Sequence, residues 1–72
     1  MNVEHLVAMA NDIAAFFDSD PDAAVAAEGV RNHISRFWEP RMRRAIIEHV
    51  AAGGAGLVPT ARTAVGLLKP PA

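Results

Sequence analysis

Cysteine is absent from this chain, so no disulfide can staple the fold and no thiolate can hold a structural metal. The three histidines, His5, His33 and His49, are scattered and fall into no metal-ligand spacing. Lysine and arginine are missing from the first 28 residues, which carry Glu4, Asp12, Asp18, Asp20, Asp22 and Glu28. No apolar run approaches the roughly 18 residues that a membrane span needs. The opening Met-Asn-Val-Glu-His also lacks the basic and apolar stretches of a secretory signal, so a cytosolic protein is the expectation. No pattern of strand period is present, and no internal repeat.

Catalytic templates fail in the same way. There is no cysteine nucleophile, and neither Ser19 nor Ser35 lies in a strand–turn–helix elbow. Glu4–His5 and Glu48–His49 are adjacent pairs, which a helix points to different sides. The Gly53–Gly56 run is followed by no Lys-Ser/Thr and reads as a helix stop rather than a phosphate loop. No catalytic, cofactor-binding or metal-binding residue is therefore assigned.

What is present is helical. With 72 residues the chain is one domain, of a size that buries only about 60% of its unfolded surface. Hydrophobic residues make up 51% of it, more than so small an interior holds comfortably, which points to a partner surface. A first helix is expected from about Val3 to Phe17, with Asn2 as N-cap. Val3, Leu6, Val7, Ala10, Ile13, Ala14 and Phe17 share its inner face, while Met9 and Phe16 widen the apolar arc. Asp20 is expected to cap a second helix with Pro21 in its first position, running to about Phe37. Its seam reads Ala23, Ala27, Val30, Ile34 and Phe37, and Gly29 within it reads as a tolerated defect. Pro40 breaks the path and starts a third helix, reaching about Ala52 and stopped by Gly53-Gly54. Met42, Ile46, His49 and Val50 share one face of it, and Arg41, Arg44 and Glu48 the opposite one. After a glycine-rich loop, Leu57 re-anchors the chain. Pro59 then starts a short fourth helix, with Ala61, Ala64, Val65 and Leu68 inward. The fold class is all-α: a small three-helix bundle with a short fourth C-terminal helix, a single domain over residues 1–68 and a disordered tail over 69–72.

Net charge is −1, yet all seven basic residues follow the acidic first third. Two readings of that dipole remain open: acids pair with arginines inside the bundle, or the arginines meet a partner. Arg36-Phe37-Trp38-Glu39-Pro40-Arg41-Met42-Arg43-Arg44 concentrates residue types that dominate protein interfaces. The candidate partner-binding residues are Arg36, Trp38, Glu39, Pro40, Arg41, Met42, Arg43 and Arg44. Trp38 either projects from the helix break or plugs the core. Arg43, on the rim of an apolar arc, either meets a partner or pairs with an acid of the first helix. A nucleic-acid reading of the same cluster conflicts with the balanced charge and acidic first half.

The block Phe37-Trp38-Glu39-Pro40-Arg41-Met42-Arg43 also carries a resemblance, together with Asn2-Val3-Glu4-His5-Leu6-Val7-Ala8-Met9-Ala10-Asn11, Ile13, Phe16-Phe17, Gly53-Gly54-Ala55-Gly56-Leu57 and Pro59. Over about residues 1–68 the chain resembles the delta subunit of cytosolic NAD-dependent, molybdenum-containing formate dehydrogenase. Val58 stands where that pattern often has serine, which leaves the cap of the fourth helix open. The resemblance implies a non-catalytic accessory subunit that binds the alpha subunit, within a complex that also has beta and gamma subunits, and stabilises or helps assemble it. It implies that this chain holds no cofactor. Molybdenum bis-guanine-dinucleotide, iron–sulfur clusters and flavin belong to its partners. A transient maturation chaperone is the alternative, and a small nucleic-acid-binding regulator the third. Self-association of the isolated chain is open, and neither nucleic acid nor membrane is expected as a partner.

Overall fold

A computed structural model describes residues 2–71. Among them are four helices and no strand: α1 (Val3–Phe17), α2 (Ala23–Phe37), α3 (Pro40–Ala51) and α4 (Pro59–Gly66). Each boundary has a local cause. Asn2 is extended, and its side chain accepts from the Glu4 N–H, as an N-cap should. Pro40 and Pro59 stand in the first turns of α3 and α4, where a missing N–H costs nothing. The stop of α3 is a Schellman motif: Gly53 N–H donates to the Val50 carbonyl, and Gly54 N–H to that of His49, at 2.9 Å. Both glycines take positive φ, 123° and 66°, where a side chain would be strained. No helix among the described residues is long and apolar enough to cross a membrane.

The entry to α2 differs from the sequence expectation. Asp22, not Asp20, is the N-cap, accepting from the N–H groups of Ala24 and Val25. Asp20 instead accepts from the Asp22 N–H at 2.8 Å, closing a turn around Pro21, which therefore stays outside the helix.

The core is built from small residues. Ala10, Ala14, Ala26, Ala27, Ala61 and Ala64 are buried with Leu6, Val30, Ile34, Ile46, Leu57, Val65 and Leu68. Alanines on facing helices let backbones approach closely, and the rigid Val and Ile side chains fill what remains. α4 is more than an appendage to a three-helix core, since it packs on α1, α2 and α3, most extensively on α2. Its inward set is the expected Ala61, Ala64, Val65 and Leu68, and Leu57 anchors the loop before it. Beyond Leu68, Lys69 and Pro70 are exposed, and the end of the expected tail, Ala72, lies outside the described residues.

Gly29 is not a tolerated defect. A Cβ there would lie 2.4 Å from Cδ1 of Phe17, so the glycine is the floor on which the Phe17 ring rests. The seam of α2 is also corrected at both ends. Ala23 is exposed and Ala26 buried, and the burial that reaches Ile34 continues to Trp38 rather than Phe37. Three and four residues on from Ile34 both return to the same helix face, so periodicity alone cannot choose between the two aromatics.

Candidate partner-binding surface

The segment Arg36–Arg44 is the hinge between α2 and α3, and the structure divides its residues by role. Trp38, at φ −84° and ψ 140°, leaves the helix in an extended conformation, which turns its side chain back into the molecule. It is 5% exposed and part of the core cluster, so it does not project from the helix break. Arg43 is half-buried and donates from its guanidinium to the Trp38 carbonyl. It thereby satisfies a backbone acceptor at the break, not an acid of α1. Met42 is partly buried against the same core. Arg36, Glu39, Pro40, Arg41 and Arg44 are exposed.

Of the arginines, only Arg31 is paired with the acidic first part of the chain among the described residues. Among the described residues one ion pair occurs, Glu28 with Arg31 at 3.5 Å, one turn apart on α2. An exposed pair of this kind contributes little. The charge separation of the sequence is thus carried to the surface rather than neutralised across the bundle.

The larger feature is apolar. Phe16 is 74% exposed and Phe37 69%, and Val25 is also open. Phe16 meets Phe17 edge-on, ring centroids 5.1 Å apart, and the imidazole of His33 lies against the Phe37 ring at 4.8 Å. The half-buried Phe17 ring is shared by three adjoining concavities. One, of about 390 Å³, lies among Asp12, Ile13, Phe16 and His33. A second, of about 370 Å³, runs by Asp20, Val25, Glu28 and Asn32. The third, of about 250 Å³, joins them past Gly29 and His33 to Arg36 and Phe37. Together they form one open apolar groove along the outer side of α1 and α2. Sequence reasoning placed Phe16 on a widened arc and Phe37 in the core. The signal for the groove was the run of Phe16, Phe17, Gly29 and Phe37, but only the fold brings these residues together.

On the opposite side, polar side chains serve the loop between α3 and α4. Asn11 donates to the Gly56 carbonyl at 2.9 Å and accepts from the Val58 N–H at 3.0 Å. α4 has no side-chain cap at Val58, and Asn11 from α1 supplies the acceptor instead. A His49 ring nitrogen bonds the Ala55 carbonyl, Arg62 donates to that of Gly54, and the Thr60 hydroxyl donates to Asp18. These groups hold the fold. Among the described residues no three His, Cys, Asp or Glu side chains come together as a metal site would require.

Comparison with known proteins gives one finding. The family model for the NADH-dependent formate dehydrogenase delta subunit FdsD matches residues 5–65. No curated protein and no solved structure matches the chain.

Proposed function

The chain belongs to the NADH-dependent formate dehydrogenase delta subunit family, and we propose that it is an accessory subunit, without an active site of its own, that binds and stabilises the complex. In this reading it works in the cytosol and docks on the catalytic alpha subunit, within an assembly that includes beta and gamma subunits. Molybdenum bis-guanine-dinucleotide, iron–sulfur clusters and flavin reside in those partners. One observation carries the reading: the molecule fills its core with alanines and leaves Phe16 and Phe37 in solvent. A domain this small has few large apolar groups to spend, and exposed aromatic patches mark interaction surfaces. The exposed Arg36, Glu39, Pro40, Arg41 and Arg44 extend the contact along the hinge, held in shape by the buried Trp38 and the half-buried Met42 and Arg43.

Co-expression of the tagged chain with the other subunits tests this. The expected result is retention in fixed proportion to the alpha subunit, and faster loss of activity on storage when the chain is omitted. Enhanced activity without retention would move the reading to a maturation chaperone. If the chain is neither retained nor needed, the accessory role is wrong.

A further inference from the structure

We propose that the groove centred on Phe17 receives a single helix of the partner, apolar along one face and carrying Lys or Arg beside that face. This inference rests on the reading that the chain binds a subunit of the complex, and adds which surface does so and what it recognises.

The shape is that of a helix site. The groove follows α2 from Val25 to Phe37, twelve residue steps, which at 1.5 Å per step is about 18 Å, or three turns of a partner helix. Its three concavities share the Phe17 ring, two of them following α2 and the other lying mainly on α1, which suits an extended occupant better than a compact one. Phe16 and Phe37 each share a concavity with His33 and offer exposed aromatic walls to the apolar face of a helix.

Charge then selects the occupant. Asp12, Asp20 and Glu28 line the groove, Glu28 also pairing with Arg31 and Asp20 also accepting from the Asp22 N–H, while Arg36 lies at its far end with His33 beside Phe37. An apolar helix flanked by cations complements that rim, and an acidic helix does not. A second copy of this chain is the competing occupant, and a cross-link from position 37 distinguishes it from a partner helix.

The test uses the intact complex and two sets of variants. Phe16→Glu with Phe37→Glu should abolish retention of the chain. Asp12→Lys with Glu28→Lys should weaken it about tenfold or more and reverse its sensitivity to salt. Melting of each isolated variant separates lost binding from lost folding. A photo-reactive phenylalanine analogue at position 37 should cross-link to a segment of a partner subunit that has helical apolar spacing and neighbouring Lys or Arg. Normal retention of either set overturns the groove, as does a cross-link to an acidic segment, to a second copy, or to nothing while the wild-type chain stays bound. Failure of the wild-type chain to join the complex instead removes the accessory role, and this proposal with it.

Discussion

The two sides of α2 follow opposite rules. Towards the interior its buried residues are Ala26, Ala27, Val30 and Ile34, side chains small or stiff enough for close helix packing, and the facing α4 offers Ala61, Ala64 and Val65. On the outer side lie Gly29, His33 and Phe37, with Phe16 and Phe17 of α1 across the groove. Stability alone would place phenylalanine inside and alanine outside, since a buried aromatic removes far more apolar area from water. The inversion means that the interior is sized for close helix approach, and that the large apolar area is held where another molecule can reach it. Trp38 is the exception that locates the boundary between the two regions. It is the one large aromatic turned inward, at the hinge where α2 gives way to α3.

That boundary is the first place to break the comparison. Trp38→Ala should cost about 3–5 kcal/mol, as for other buried aromatics, which approaches the whole stability expected of a domain this small. Circular dichroism during heating should show the variant largely unfolded at temperatures where the parent is folded. A variant that melts normally would return Trp38 to the surface. Next comes the interior itself. Ala64→Leu forces a larger side chain between α4 and its neighbours and should cost about 1–3 kcal/mol by overpacking. If stability rose instead, the alanine interior would be underfilled rather than closely packed.

A smaller effect sharpens the outer region. Alanine normally favours a helix interior over glycine by about 1 kcal/mol. At Gly29 that gain should vanish, because the new methyl group would displace the Phe17 ring. In a Phe17→Ala background the same substitution should recover its gain of about 1 kcal/mol. A double-mutant cycle with no coupling would mean that the ring and the glycine are independent.

Much of this architecture was legible in the chain. The prolines and glycines punctuate it unambiguously: Pro40, Gly53-Gly54 and Pro59 bound helices in the structure as they do on paper. The inward set of α4 follows from spacing alone, as do Leu6, Ala10 and Ala14 of α1, whereas Val3, Val7, Ile13 and Phe17 of the same expected face are only partly buried. What could not be read is of two kinds. Some choices are degenerate locally. Asp20 and Asp22 are both competent caps, and Phe37 and Trp38 both return to the face of Ile34, so the outcome depends on how the next element packs. Other features need distant residues to meet. Asn11 caps α4 from 47 residues away, and Gly29 is required only because Phe17 lies over it. The candidate site suffers from both. Its arginines were visible as a cluster, but the groove exists only once α1 and α2 are packed together.

The smallest expected effect on the free protein bears most directly on the central claim, that Phe16 and Phe37 are exposed for a partner. Removing both rings, Phe16→Ala with Phe37→Ala, should leave the stability of the isolated chain within about 0.5 kcal/mol of the parent, as surface substitutions do. The same double variant should bind the other formate dehydrogenase subunits at least about 30-fold more weakly, the loss of roughly 2 kcal/mol typical of an interface hot spot. The deciding measurement is that pair of numbers on one preparation, melting of the free chain and affinity for the assembled subunits. Unchanged melting with weakened binding is the predicted result. Lowered melting with unchanged binding would contradict the account and make the two phenylalanines ordinary members of the fold.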